Sequence, residues 1–174
     1  MTGLRKFVGA AGLVLGLALG SASLAADAWT PYHNPEFKFS VELPGTPSVR
    51  ANPAQTPGGE APGVIGQLPT AAGVLMFGAN DYSALPRSSD LQARLEAAVA
   101  GAISNSKQTL DSETKITVGG VPGRDITAHN DSFVSRSRLL MTPDRLFIVV
   151  GVGAPVSAGV PAEYPRFALS LKPD

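Results

Sequence analysis

The residues of one short segment, 37–43, alternate strictly between hydrophobic and polar. Alternation with a period of two is typical of a β-strand that has one buried and one exposed face. Pro44-Gly45 follows directly, and its turn chemistry ends the strand. Residues 26–36 contain two prolines and show no periodicity, so we expect an irregular lead-in there. The predicted buried face of the strand consists of Phe37, Phe39, Val41 and Leu43.

Two other segments, 74–79 and 146–150, are apolar at both odd and even positions. Short runs without a polar face are typical of central strands that are covered on both sides. A weaker strand pattern occupies residues 64–68, and Val49 fits a short edge strand. Residues 53–63 combine prolines with glycines, so we predict a mobile surface loop there.

One amphipathic helix is predicted over residues 89–103. The hydroxyl of Ser89 would cap its N-terminus, and Gln92, three residues later, would complete a capping box. Apolar residues then recur at spacings of three and four, as on one face of a helix. Because this apolar stripe must be buried, we expect the helix to pack on one face of the sheet. The stripe consists of Leu91, Leu95, Ala98, Val99, Ala102 and Ile103.

The second half of the chain predicts an antiparallel meander of four strands. Gly119-Gly120 separates the first two strands. Since a plain two-residue turn would place Ile116 and Ile126 on different faces, we predict a longer loop or a bulge at residues 120–123. Residues 161–171 favour a short helix that starts near Pro165, with a closing strand as the alternative. The four strands are expected at 114–118, 123–128, 133–141 and 146–152.

Together these patterns predict one α+β domain over residues 26–174. We expect an antiparallel sheet of six or seven strands with one main amphipathic helix on one face and a short C-terminal helix. A chain of this length can bury a sufficient core without disulfide bonds.

Residues 1–25 have the pattern of a secretory signal peptide. A positively charged start precedes the apolar run 7–19, and small residues at 23–25 offer cleavage before Ala26 or Asp27. The apolar run is shorter than the ~20 residues that a membrane-spanning helix needs, so we expect no stable membrane insertion after cleavage. These features predict a periplasmic or secreted protein.

Composition narrows the function classes further. The 14 basic and 14 acidic residues balance, which argues against the clustered basic surface of a nucleic-acid-binding protein. The absence of cysteine excludes disulfides, thiolate metal sites, cysteine nucleophiles and a lipidated N-terminal cysteine. The two histidines leave little material for a transition-metal site, and we expect no cofactor.

The sequence contains no recognisable catalytic constellation. Neither a Walker phosphate loop nor a Gly-x-Ser-x-Gly nucleophile elbow occurs. His33 in the lead-in and His129 on the polar face of its strand are expected at the surface. A metal site from His129, Asp131 and Asp125 has only a His-x-Asp spacing in its favour, which is very weak. We therefore predict no catalytic residues and no metal ligands.

Three arginines are the candidate ligand-binding residues: Arg124, Arg136 and Arg138. Arg136 and Arg138 are two residues apart and so share a strand face. Arg124 lies on the neighbouring strand of the meander. Three guanidinium groups on adjacent strands would form an anion or carboxylate site. The alternative is a solvated sheet face with Asp125 or Glu113 as the ion-pair partner.

A series of structural motifs runs along the chain: Tyr32, the segment 39–47, Asp81-Tyr82, the Ala-rich helix, the segment 120–125, the Thr-Pro-Asp-Arg hairpin at 142–145, and Arg166-Phe167. In this order they resemble small exported bacterial proteins with a PsbP-like fold, named after the extrinsic photosystem subunit. The resemblance spans most of residues 32–171. It implies an α/β/α sandwich around an antiparallel sheet, which mostly serves binding or assembly and brings no catalytic residues with it. Nothing in the sequence indicates a photosynthetic role.

These observations lead to three hypotheses of function. The first is an exported non-enzymatic binding or assembly module whose partner is a protein or an envelope component. The second is a small-ligand or anion-binding protein that uses the three arginines. The third is a hydrolase with a site around His129 and Asp125. Convergence of the arginines in a pocket, or of His129 with a serine and a carboxylate, would separate these hypotheses.

Overall fold

The computed structural model describes residues 29–174, so the predicted signal peptide, 1–25, lies outside the described residues. A short 3₁₀ turn, Val156–Ala158, precedes the second helix. The helices are α1 (Leu91–Ser106) and α2 (Tyr164–Ser170). The strands are β1 (Thr30–Asn34), β2 (Phe39–Leu43), β3 (Ser48–Ala51), β4 (Ala54–Thr56), β5 (Gly59–Ala61), β6 (Gly63–Thr70), β7 (Gly73–Asp81), β8 (Thr109–Val118), β9 (Val121–His129), β10 (Val134–Met141), β11 (Arg145–Gly153) and β12 (Lys172–Pro173).

A seven-stranded antiparallel sheet forms the centre of the fold, in the order β3-β6-β7-β11-β10-β9-β8. The two doubly apolar segments are the neighbouring strands β7 and β11, with Phe77 directly opposite Val149. Their central position confirms the prediction from the sequence. Helix α1 lies on one face of the sheet, and α2 lies on the other together with a second sheet of order β1-β2-β12. The predicted α+β fold is therefore confirmed.

The larger part of the core lies between the two sheets. Strand β2 has the predicted alternation, and Phe39 on its buried face packs against rings from the large sheet. The ring centroids of Phe39 lie 5.9 Å from Phe77 and 5.8 Å from Phe147. Phe167 of α2 belongs to the same cluster. Aromatic rings at these separations stabilise the fold by more than the burial of their apolar surface alone would.

Helix α1 packs its predicted stripe against β9 and β10. Leu95 and Val99 are buried against Ile126, Leu139 and Met141.

The predicted capping box of α1 is wrong by one residue. The Asp90 carboxylate, and not the Ser89 hydroxyl, accepts hydrogen bonds from the amides of Gln92 and Ala93, at 2.9 and 3.1 Å. A carboxylate at this position pairs with two backbone amides that have no partner within the helix. Its negative charge also interacts favourably with the positive end of the helix dipole.

Two segments that we expected to be irregular form strands. The lead-in contains β1, which pairs with β2. Pro31 is tolerated there because β1 is an edge strand of the small sheet, where a missing amide donor costs little. The predicted loop at 53–63 contains the hairpin β4–β5 instead, which is closed by Thr56 and Gly59. The Thr56 hydroxyl donates to the Gly59 carbonyl at 2.7 Å and stabilises this turn.

The predicted loop or bulge at residues 120–123 is also wrong. Val118 pairs directly with Val121 across a two-residue turn. Gly119 and Gly120 both have positive φ, at 56° and 85°, which is the conformation that a tight hairpin of this hand requires. Ile116 therefore faces the α2 side of the sheet and Ile126 the α1 side, the arrangement that the prediction had tried to avoid.

The C-terminal segment is the predicted short helix. Pro165 lies in the first turn of α2, where a missing amide donor is harmless. Tyr164 and Phe167 bury the inner face of the helix. The chain then adds β12 to β2, so a closing strand follows the helix and does not replace it. Within residues 29–174 no helix is both long and apolar enough to cross a membrane.

Candidate functional site

Two concavities lie on opposite faces of the large sheet. The arginine pocket, of about 340 Å³, lies between α2 and strands β8, β9 and β10. The apolar groove, of about 360 Å³, lies between the C-terminal half of α1 and strands β7 and β11. They differ in chemistry, because charged and hydroxyl groups line the first and aliphatic side chains dominate the second.

Two rows of residues, each running across three strands, form the floor of the arginine pocket. Residues directly opposite each other on antiparallel strands point to the same face of the sheet. The pairings Ser112–Thr127–Arg136 and Thr114–Asp125–Arg138 therefore put six polar side chains on the α2 face. Short hydroxyl residues on β8 and β9 leave the open space above the floor.

Helix α2 forms the wall of this pocket. Tyr164 approaches the sheet closely because its neighbour on β11 is Gly151, where a Cβ atom would lie 2.7 Å from Tyr164 Cδ2. Pro165 and Ala168 continue the wall. Leu169 stands at the rim with 69% of its surface exposed. The wall is therefore apolar where the floor is polar.

Arg138 clamps α2 to the sheet. Its Nε and Nη2 donate to the two carboxylate oxygens of Asp125 at 2.8 Å each, and Nη1 donates to the Ala168 carbonyl at 3.0 Å. The hydrogen bonds with Asp125 raise the pKa of Arg138 above its ordinary value. This bidentate pair is the ion pair with Asp125 that the sequence offered as the alternative to a ligand site. The donors of Arg138 are used within the protein.

Arg136 is in a different position from Arg138, although both lie on the same face. Its guanidinium carbon lies 5.5 Å from the centroid of the Tyr164 ring. Within residues 29–174 no hydrogen-bond acceptor contacts this guanidinium, and the side chain is exposed. Burial raises the pKa of the Tyr164 hydroxyl well above its usual range, so the ring beside Arg136 stays neutral. Arg136 is thus a cation that lines the pocket and has no hydrogen-bond partner among residues 29–174.

Arg124 does not join this cluster, which corrects the predicted three-arginine site. It lies opposite Leu139 and so points to the α1 face, where it is only 1% exposed. Its Nε donates to Glu113 at 2.7 Å and its Nη2 to the Gln92 side chain at 2.8 Å. Arg124 therefore ties α1 to β8 through the Glu113 partner that the sequence offered as the alternative.

The histidines do not form the hydrolase or metal arrangements that the sequence left open. His129 Nδ1 lies 2.8 Å from the Asp111 carboxylate. Asp125 is four residues along the same strand, roughly 13 Å away, and is held by Arg138. His33 is exposed and lies 3.6 Å from Asp174. Among residues 29–174 no group of three histidine or acidic side chains is placed to hold a metal ion.

The apolar groove was not predicted, because β7 and β11 were expected to be covered on both faces. A helix is about 10 Å wide and covers roughly two strands that are ~4.8 Å apart. Helix α1 covers β9 and β10, so the side chains on the same face of β11 and β7 are only half-buried. The aliphatic and aromatic lining consists of Val74, Met76, Ala102, Ile103, Ile126, Phe133, Ile148, Val150 and Val152. The sequence signal was present in the apolar even positions of both strands.

Three of the polar residues that line the groove, Ser106, Gln108 and Ser135, are hydrogen-bonded to one another or to the backbone. Gln108 Nε2 donates to Ser135 Oγ at 3.0 Å and to the Ala128 carbonyl at 3.2 Å. The Ser106 hydroxyl donates to the Ala102 carbonyl at 2.7 Å. Because these groups are already paired, what the groove offers to an occupant is mainly apolar surface.

The comparisons with known proteins concern the fold. No protein-family profile matches the sequence, and no curated protein matches it. The solution structure of cyanobacterial PsbP (CyanoP) from Synechocystis sp. PCC 6803 superposes with a TM-score of 0.58 at 12% sequence identity, and covers 90% of this chain and 99% of that one. A Pseudomonas aeruginosa protein of unknown function, PA94, matches at a TM-score of 0.36 and 17% identity, over 79% of this chain and 89% of that chain. The chain therefore has a PsbP-like fold, as its motifs indicated.

Proposed function

We propose that this chain is an exported, non-enzymatic binding module of the bacterial periplasm or cell envelope, and that its apolar groove binds an amphipathic helix of a partner protein. The observation that carries the proposal is the half-buried apolar face of β7 and β11 beside α1. Apolar side chains that are left partly open to water gain free energy when a partner covers them, which supports this face as a binding surface.

The geometry of the sheet face beside α1 favours a helix as the occupant. Packed helices lie 8–10 Å apart, which is about the width of two strands. A helix beside α1 would therefore lie over β11 and β7. Ala102 of α1 faces this space, and its small side chain allows close approach. Because none of the residues within 29–174 that line the groove is charged, the buried stripe of the partner helix should be apolar.

The non-enzymatic part of the proposal is supported by the histidines. His129 pairs with Asp111, and Asp125 pairs with Arg138, so these residues do not converge on one reacting centre. The export part is supported by the signal-peptide pattern of residues 1–25. N-terminal sequencing of the protein from the extracytoplasmic fraction should start at Ala26 or Asp27.

A photo-crosslinking experiment tests the partner. A benzophenone amino acid replaces Val150 in the groove, and the protein is irradiated in its own envelope fraction. We expect a discrete protein adduct, whose crosslinked peptide has apolar residues at helical spacing. Excess wild-type protein should compete with its formation, and so should Val49→Lys. Val49 is 42% exposed on β3, outside the groove.

Val150→Lys should fail to compete, since it places a charge in the apolar groove. Competition by Val150→Lys as strong as that of Val49→Lys would contradict the proposal. So would an adduct that contains lipid, or one that contains only a second copy of this chain.

A further inference from the structure

The arginine pocket carries an inference that is independent of the apolar groove, because the two lie on opposite faces of the sheet. We infer that this pocket binds the carboxylate of a small ligand through Arg136, with an apolar part of the ligand resting on Pro165 and Leu169 of α2.

The charge of the pocket selects an anion. Three charged side chains line it, and two of them, Asp125 and Arg138, neutralise each other in a bidentate pair. Arg136 remains as one positive charge without a carboxylate partner among residues 29–174. A small pocket with one uncompensated guanidinium favours a ligand with one negative charge.

The geometry of Arg136 favours a planar anion. The Tyr164 ring lies 5.5 Å from the guanidinium carbon, and cation–π contact restrains the group. The donors on the edge of the guanidinium remain available, and their fixed fork matches the two oxygens of a carboxylate. Ser112 and Thr127 lie in the same row of the floor, and their hydroxyls can donate to the same anion.

The wall of the pocket defines the rest of the ligand. Pro165, Ala168 and the exposed Leu169 present apolar surface beside the charged floor. A volume of about 340 Å³ is at the small end of ligand pockets. The pocket therefore suits a carboxylate attached directly to a compact apolar group. Both a free organic acid and the C-terminus of a peptide that ends in an apolar residue have this chemistry.

An NMR titration of the purified protein tests the inference with phenylacetate, at constant ionic strength and pH 7. We expect saturable amide shifts at residues 112–114, 125–127, 136–138 and 164–169, and none at Val74 and Met76 of β7, which line the apolar groove. Phenylacetamide, which lacks the charge, should bind at least tenfold more weakly. An N-acetyl dipeptide with a free C-terminal phenylalanine forms the second arm. If the dipeptide binds more tightly than phenylacetate, the natural ligand is a peptide C-terminus. If it binds more weakly, the natural ligand is a free organic acid.

Arg136→Gln should weaken phenylacetate binding at least tenfold. Arg136→Lys should restore only part of the binding, since lysine keeps the charge but not the fork. The matched control is Arg50→Gln, which removes an exposed arginine from β3 at the other end of the sheet and should leave binding unchanged.

Three outcomes would overturn the inference. The first is the absence of saturable shifts in the pocket with both carboxylate probes. The second is equal binding of phenylacetamide, or an equal loss with Arg50→Gln. The third is tighter binding of inorganic phosphate than of either carboxylate. None of these outcomes bears on the apolar groove, so failure here and failure of the proposed function are distinguishable.

Discussion

The two faces of the seven-stranded sheet differ in how completely they are covered. On the α2 side, the small sheet and α2 bury the rings of Phe77 and Phe147 almost entirely. On the α1 side, one helix covers β9 and β10, and Met76 of β7 and Val150 of β11 are only half-buried. Strands β7 and β11 therefore supply the main core with the side chains on one face and form an open apolar surface with the side chains on the other. We interpret the covered face as the source of stability and the open face as the surface for association.

The largest expected effect comes from adjacent residues of β7 that point to opposite faces. Phe77→Ala should destabilise the protein by about 3–5 kcal/mol, because it leaves a cavity between the two sheets. Met76→Ala should cost only about 1 kcal/mol, since its side chain is already partly in water. Urea unfolding of both variants measures the difference. Equal losses of stability would mean that the α1 face is as well packed as the other, and the comparison would fail.

The arginines give a second pair, with a smaller expected difference. Arg124→Gln should cost about 2 kcal/mol, because Glu113 and Gln92 lose a buried donor. Arg136→Gln should cost at most about 0.5–1 kcal/mol, because within residues 29–174 its exposed guanidinium has no hydrogen-bond or carboxylate partner and loses only the cation–π contact with Tyr164. Thermal or urea denaturation at pH 7 distinguishes them. If Arg136→Gln proves as costly as Arg124→Gln, Arg136 is a structural residue and not a ligand-binding one.

The same arginines explain how much of the site could be predicted from the sequence. Two-residue periodicity correctly put Arg136 and Arg138 on one face. The face of Arg124 depends on the register between β9 and β10, in which odd-numbered residues oppose even-numbered ones. That register depends on the conformation of a connecting loop, which residue types alone did not determine. For Arg124, the predicted ion pair with Glu113 is therefore confirmed, and the predicted grouping with Arg136 and Arg138 is wrong.

The fold was predictable where periodicity was strong. The alternation in β2, the doubly apolar β7 and β11, and the stripe of α1 all gave elements that the structure confirms. The sequence did not show that β2 belongs to a separate sheet, because alternation defines the faces of a strand and not its partners. The sequence also did not show that α1 is too narrow to cover β7 and β11 in addition to β9 and β10.

Gly151 offers a test of the wall of the arginine pocket. Gly151→Ala would place a Cβ atom 2.7 Å from Tyr164 Cδ2 and from Val160 Cγ1, so these side chains must shift. We expect a loss of about 1 kcal/mol and a change in the ring resonances of Tyr164. Gly101→Ala in α1 is the matched control. Its Cβ would meet nothing within 4 Å, and it should be neutral or stabilising. Unchanged Tyr164 resonances in Gly151→Ala would contradict the described packing.

The smallest expected effect concerns the end of β7, away from both concavities. Burial by itself would raise the pKa of Asp81, but hydrogen bonds from Ser83 and the charge of Arg145 outweigh it and lower the pKa below its ordinary 3.8. A carboxyl group whose pKa is lowered by folding stabilises the fold above its unfolded pKa, and this contribution is lost as the pH falls through the folded value.

Asp81→Asn should therefore cost about 1 kcal/mol or less at pH 7, and progressively less as the pH falls below 3.8. The midpoints of urea unfolding of the wild type and of Asp81→Asn, measured at pH 7 and below pH 3.8, give this cost at each pH. A cost that does not change with pH would show that neither the hydrogen bonds from Ser83 nor the ion pair with Arg145 is its source. Because Asp81 lines neither concavity, phenylacetate binding and the Val150 crosslink should both persist in this variant. Loss of either one would mean that the two faces are coupled through β7 and do not act independently.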